Sequence, residues 1–211
     1  MRYNAKEKVI YLIRHGSIEM ENSERRYIGQ IDLPLSDEGV RQARLLQAEL
    51  GGEDISSVFC SDLIRSVDTA RIISASWDTE LVIRRDLREI NMGDWEGKTF
   101  REIATCHPEE YAKRGSNIIS YRAPGAESFE ECMSRGIAAF SDIADSTEGN
   151  ILIVGHAGIN RLLLCHILGM PLENLFRISQ GYGCINILAV SGGQYCVKLL
   201  NGLVYAPRKE V

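Results

Sequence analysis

The chain has 211 residues and a net charge of −5, a size for one domain with a full core or one domain carrying an insertion. Its basic pairs, Arg25-Arg26 and Arg84-Arg85, are isolated, which excludes a general nucleic-acid surface. The apolar stretch behind Arg2, Lys6 and Lys8 is too short for a signal peptide or a membrane span, and the six cysteines form no C-x-x-C pair, so the expectations are a reducing cytoplasm, no membrane, no metal and no disulfide framework.

In chain order, residues 8–13 read as a buried strand running into Arg14-His15-Gly16, where the glycine is expected to let the chain turn away. Residues 17–34 follow without a clear period and hold Tyr27, Gly29 and Asp32, a loop longer than most βα connections. Ser36 reads as the N-cap of a helix with Asp37 and Glu38 in its first turn and a buried stripe of Val40, Ala43, Leu46 and Leu50. A second strand, 57–60, leads to Ser61, which is expected to cap a helix with the stripe Leu63, Val67, Ala70 and Ile73. Arg65 falls in its first turn and off that stripe, at the strand–helix junction.

A short third strand, 81–83, precedes Arg88-Glu89-Ile90-Asn91-Met92-Gly93-Asp94-Trp95-Glu96-Gly97. Thr99 with Glu102, and Ser128 with Glu131, match capping boxes. The segment of about 99–126 is expected to be a small helical cap inserted in the domain. The helix opened by Ser128 carries the stripe Phe129, Cys132, Met133, Gly136, Ile137, Phe140, Ile143 and Ala144. A fourth strand, 151–155, ends at His156-Ala157-Gly158. Ile159, Leu162, Leu163 and Ile167 then mark a buried helix, on which His166 is expected to pack and Gly169 to form the C-cap. Residues 184–190 and 195–201 read as two final strands around a turn at 191–194. The alternation of strands with helices predicts an α/β fold with a mainly parallel sheet.

Four of the strand-like runs deliver a polar residue at or past their C-terminal ends: His15, Arg65, Glu89 and His156. Ligands of open α/β sheets bind at those ends, so these four are candidates for one cleft. Their types suit phosphate. Guanidinium forks match phosphate oxygens and stay charged. Arg14 and Arg65 would hold His15 neutral, the form that can attack phosphorus. A backbone carbonyl accepting from one ring nitrogen would leave the other as the nucleophile. His156 would donate to a phosphate oxygen, and Glu89 would protonate the leaving alkoxide and then take a proton from water. With guanidinium and imidazole supplying positive charge, no metal or other cofactor is required. Trp95 reads as packing. Arg88 has two open readings, pairing with an acid or reaching substrate.

Arg14-His15-Gly16, Ser61-x-x-x-Arg65-x-x-x-Thr69-Ala70, the Glu89 segment and Gly155-His156-Ala157, in this order and spacing, resemble the histidine phosphatase superfamily, in its phosphoglycerate-mutase-like branch. The resemblance runs from residue 9 to about residue 190. It implies a three-layer α/β/α sandwich, one domain over 1–211, and a phosphohistidine intermediate on His15. Arg14, Arg65 and His156 would form the phosphate pocket, with Glu89 as proton donor. The wider substrate-binding set adds Gly16, Asn22, Tyr27, Gly29, Arg88 and Ala157. Asn22 enters because many members carry an asparagine six residues past the histidine; here position 21 is glutamate and Asn22 is next.

Tyr27 to Ser36, Leu87 to Gly97 and Pro124-Gly125-Ala126-Glu127-Ser128 are similar to segments of α-ribazole phosphatases. Cofactor-dependent mutases carry a Glu-Arg-His-Tyr type segment and a long Pro-rich insertion, and this chain has neither. The expected activity is a metal-independent phosphomonoesterase with a small-molecule partner, foremost α-ribazole 5′-phosphate. Two alternatives stand beside it: a phosphoglycerate mutase and a non-catalytic phosphate-binding module. A homodimer is left open.

Overall fold

A computed structural model describes residues 7–20 and 24–204; Asn22 lies outside the described residues. Six strands form one sheet: β1 (Lys8–Arg14), β2 (Ile55–Cys60), β3 (Leu81–Ile83), β4 (Asn150–Gly155), β5 (Ile185–Ser191) and β6 (Gln194–Gly202). Their spatial order is β3-β2-β4-β1-β5-β6. The first four are parallel, while β5 runs antiparallel to β1, and β6 to β5. Both faces of the sheet are covered, and for that reason β1 and β4 are continuous apolar runs rather than alternating ones.

The two-residue period of the strands divides the core. Tyr11, Ile13, Val58, Cys60, Leu152 and Val154 face helices α1 (Asp37–Leu50) and α2 (Ile64–Ser74). Ile10, Leu12, Phe59, Ile151 and Ile153 face the other way, toward α5 (Phe129–Ser146) and α6 (Ala157–Leu168). The result is a three-layer α/β/α sandwich. Two short helices, α3 (Phe100–Cys106) and α4 (Pro108–Ser116), lie between β3 and α5 in the chain. Both capping boxes form, at Thr99–Glu102 and Ser128–Glu131, and each N-cap contributes about 1 kcal/mol. Gly169 closes α6 at φ +61°, a left-handed conformation that glycine adopts without steric cost. No described helix is long and apolar enough to cross a membrane.

Three local expectations are corrected. α2 begins at Ile64, so Ser61 is not its cap; the Ile64 N–H donates instead to Asp32 Oδ1 at 2.7 Å, from the long loop after β1. In α1 the buried position is Gly39 and Val40 is only half-buried. The cause is a close backbone approach: a Cβ on Gly16 would stand 2.5 Å from the Gly39 carbonyl oxygen, and one on Gly39 would stand 2.0 Å from that of Ser17. Gly16 therefore serves helix packing more than a turn. His166 is exposed, because the buried face of α6 is taken by residues 158–160 and 162–165.

Candidate active site

Parallel register brings the two histidines together. Arg14 pairs with Gly155, so the next residues, His15 and His156, leave neighbouring strands side by side. Their ring centroids are 5.0 Å apart. The His15 N–H donates to the Gly155 carbonyl at 3.1 Å, which fixes the backbone where β1 ends. His15 Nδ1 lies 2.7 Å from the Gly16 carbonyl oxygen. A carbonyl only accepts, so Nδ1 carries the proton and Nε2 keeps its lone pair. Thr69 holds that carbonyl's residue in place: the Gly16 N–H donates to Thr69 Oγ1, whose hydroxyl donates to the Arg65 carbonyl. Burial, then the charges of Arg14 and Arg65, holds the His15 imidazole well below the usual histidine range, against the opposing Gly16 carbonyl.

The two arginines are anchored by main-chain oxygens and no carboxylate. Arg14 Nη1 donates to the Gln180 carbonyl at 2.6 Å, and its guanidinium carbon lies 3.6 Å from the Tyr182 ring centroid. Arg65 is 1% exposed; its Nη1 and Nη2 donate to the Ile31 and Gly29 carbonyls at 2.6 and 2.8 Å. Both arginine Nε atoms are buried without a partner. Buried donors in native proteins are nearly always satisfied, so these two are donors left available to an anion. Burial lowers the proton affinity of both guanidiniums, opposed by Tyr182 and Glu89 for Arg14 and by Glu89 and Asp32 for Arg65. Arginine stays charged through such shifts.

His156 is fully buried. Its Nε2 is 2.7 Å from Ser61 Oγ, and its Nδ1 is a third orphan. Burial, then the charges of Arg65, His15 and Arg14, pushes its imidazole well below the usual range as well. Glu89 sits at the N-terminus of α6. The Gly158 N–H donates to its Oε2 at 2.9 Å, and the Ile159 and Ile90 N–H groups donate to Oε1 at 3.1 and 2.9 Å. The helix end thereby fixes an acid on the rim of the same site.

A cleft of about 850 Å³ opens over these groups and is lined by Arg14, His15, Tyr27, Gly29, Arg65, Glu89 and Ala157 among the expected residues. Gly29 holds φ +52° and lends its carbonyl to Arg65. Arg88 does not line the cleft. It forms a bidentate pair with Asp62 at 2.6 and 2.7 Å and reaches Gln30 Oε1, so of its two readings the structure favours pairing. Trp95 is buried and packs against Tyr27 and Tyr121. Sequence reasoning missed Tyr182, Arg114 and Arg161, which also line the cleft. Arg161 carried a signal: it is the one arginine on the largely apolar α6, five residues past His156.

The chain matches the histidine phosphatase superfamily (branch 1) over residues 10–202. It is 32% identical over 198 residues to a protein of Hydrogenobacter thermophilus assigned as phosphoserine phosphatase 2, covering 94% of this chain and 97% of that one. It is 30% identical over 195 residues to the adenosylcobalamin/alpha-ribazole phosphatase of Salmonella typhimurium, covering 91% of this chain and 95% of that one. The crystal structure of the alpha-ribazole phosphatase from Shigella flexneri superposes with a TM-score of 0.85 at 27% identity, over 92% of this chain and 96% of that one. The chain belongs to the histidine phosphatase superfamily and is a phosphatase enzyme.

Proposed function

We propose that this member of the superfamily hydrolyses small-molecule phosphomonoesters through a phosphohistidine on His15, without a metal. In the first half, His15 Nε2 forms a bond to phosphorus as the ester P–O bond breaks. Glu89, carrying a proton, gives it to the departing alkoxide. Arg14, Arg65 and His156 Nδ1 hold the equatorial oxygens, where charge is spread in phosphoryl transfer. In the second half, water attacks phosphorus and the P–N bond breaks. Glu89 takes the water's proton, and inorganic phosphate leaves with His15 neutral again.

One observation carries this reading. His15 presents a free Nε2 lone pair beside three buried donor atoms, Arg14 Nε, Arg65 Nε and His156 Nδ1, that lack partners. The segments similar to α-ribazole phosphatases hold this pocket together. Gly29 and Ile31 anchor Arg65, Glu96 accepts from the Gln30 and Met92 N–H groups, and the Asp94 N–H donates to the Pro124 carbonyl. That similarity makes α-ribazole 5′-phosphate the first natural compound to assay, alongside p-nitrophenyl phosphate. Release of inorganic phosphate in excess EDTA, lost in His15→Ala, is the expected result. A preparation inactive in EDTA and restored by Mg²⁺ or Zn²⁺ would contradict the site's reading. Isomerisation of phosphoglycerate with a bisphosphoglycerate primer, without net phosphate release, would contradict the hydrolytic one.

A further inference from the structure

Glu89 lies on no strand or helix. Residues 88–92 run without regular structure between short 3₁₀ turns at Arg85–Leu87 and Gly93–Trp95. Main-chain polar groups in such a segment must find partners outside it. Gln30 Nε2 donates to the Glu89 carbonyl at 2.9 Å, and Glu96 Oε1 accepts from the Met92 N–H at 3.2 Å. Two further residues, unused in the chemistry above, hold the chain on both sides of Glu89. Arg135 of α5 donates through Nη1 to the Asp86 and Arg88 carbonyls at 2.8 and 3.1 Å. Glu127 Oε1 accepts from the Asn91 N–H at 2.9 Å, and the Glu127 N–H donates to the Asn91 carbonyl at 3.1 Å. The two are joined to each other as a bidentate pair, Nη2 to Oε1 at 2.6 Å and Nε to Oε2 at 3.3 Å.

Arg135 differs in kind from the pocket arginines. Its remaining donor goes to Cys132 Sγ at 3.3 Å, so all five N–H groups of the guanidinium have protein partners. Arg14 and Arg65 each keep a buried Nε unpaired. A saturated fork holds protein in place and leaves nothing for a ligand. The helices it connects are pressed together at the next residue: a Cβ on Gly136 of α5 would stand 3.1 Å from Ile159 Cγ1 of α6. Ile159 is one of the residues whose N–H donates to the Glu89 carboxylate. Glu89 is thus tied twice to one packed helix pair, its carboxylate to α6 and its main chain to α5. Cutting the second tie lets the segment relax about the first, and the acid shifts relative to the departing oxygen.

We propose that Arg135, paired with Glu127, is a positioning residue for proton transfer by Glu89: it clamps the main chain on either side of the acid, and its loss selectively slows the departure of basic alcohols. This rests on the phosphatase reading and deepens it at one step.

The test is the ratio of kcat/KM for glycerol 3-phosphate to that for p-nitrophenyl phosphate. kcat/KM covers the steps up to departure of the alcohol, where the acid matters for glycerol and little for p-nitrophenolate. Arg135→Met should lower the ratio by about tenfold, since misplacing a catalytic group by about 1 Å can cost on the order of 100-fold. Arg135→Lys, which keeps the charge without the fork, should fall between, as should Glu127→Gln, which keeps an acceptor for Asn91 but loses the ion pair. In a Glu89→Gln background the same changes should lower the ratio no further, because both act through one group. A ratio taken within one preparation cancels any general loss of folded protein, and a purely structural role would slow both substrates alike. An unchanged ratio in Arg135→Met, or an equal further fall in the Glu89→Gln background, overturns the proposal. If Arg135→Met does not fold, Arg135→Lys and Glu127→Gln carry the same criterion. If the wild-type protein hydrolyses neither compound, or Glu89→Gln itself leaves the ratio unchanged, the reading of the site fails by itself. Amide hydrogen exchange over 88–92 then decides the clamp: faster exchange in Arg135→Lys supports it, and an unchanged rate overturns it.

Discussion

Ser61 and His156 meet through one contact, Oγ to Nε2 at 2.7 Å, in a place where both side chains are fully buried. Ser61 Oγ also accepts from the Leu63 N–H at 3.3 Å. A Ser61 hydroxyl that donates to Nε2 selects the His156 tautomer with its proton on Nδ1, the orphaned atom. Only that tautomer can donate to a phosphate oxygen. Ser61 thus acts as a positioning residue. Ser61→Ala should lower kcat by about tenfold, less than the loss from removing a direct oxyanion donor. It should also weaken inhibition by vanadate, a mimic of pentacoordinate phosphorus. Unchanged vanadate inhibition, with only a lower denaturation midpoint, would make the contact purely structural.

The two histidines also set a pH dependence of stability. Both imidazoles are held well below the ordinary 6.5 in the folded protein, by burial first and arginine charge second. Above about pH 6.5 neither state binds the extra proton and the term vanishes. As pH falls below it, the unfolded chain gains protons that the folded one refuses, so stability drops. The slope approaches about 1.4 kcal/mol per pH unit for each histidine, until the folded pKa is reached. Urea titrations at about pH 7, 6 and 5 should show this fall. His156→Gln should remove roughly half of it. Stability that is flat over this range would contradict a neutral buried pair.

Glu89→Gln separates leaving groups. A general acid matters most when the departing alkoxide is basic. The variant should cripple hydrolysis of an alkyl phosphate far more than of p-nitrophenyl phosphate, whose phenolate leaves unaided. It also gives up one of the two oxygens that receive the Gly158, Ile159 and Ile90 N–H groups, with a stability cost of about 1–3 kcal/mol. Equal slowing of both substrates would leave Glu89 only its role at the start of α6.

Gly39→Ala tests the seat of the His15 loop. The new Cβ would fall 2.0 Å from the Ser17 carbonyl oxygen, which also accepts from the Ser36 N–H. Backbone on both sides leaves no flexible atom to yield. The expected cost is about 1–3 kcal/mol, read as a lower denaturation midpoint, with reduced kcat from a displaced Gly16 carbonyl. A neutral outcome would mean that α1 shifts freely and does not position the nucleophile.

How far the sequence could be read follows from what each residue depends on. His15, Arg65, Glu89 and His156 each follow an apolar run, so their place at one sheet end is a local pattern joined to a topology rule. The capping boxes and the Gly169 stop are local chemistry and form as read. Ser61 does not cap α2 because its rival for that terminus, Asp32, lies 32 residues before Ile64 and arrives through tertiary folding. Gly39 was missed because helical periodicity does not register a backbone pressed against a neighbouring loop. Arg114 and Arg161 line the cleft because folding carries α4 and α6 to it, and that placement is visible only in three dimensions. Arg88 had two readings in the sequence, and the position of Asp62 is what separates them.

Covalent phosphorylation of His15 is the step on which the proposed hydrolysis depends. Rapid acid quench of the protein with a ³²P-labelled phosphomonoester, on the millisecond scale, followed by peptide mapping, tests it most directly. An acid-labile, base-stable phosphoryl group is expected on the peptide that holds His15. It should form and decay at rates that match turnover and be absent in His15→Ala, whose activity falls by on the order of 10³-fold or more. Label elsewhere, or near-normal turnover in His15→Ala, would contradict it.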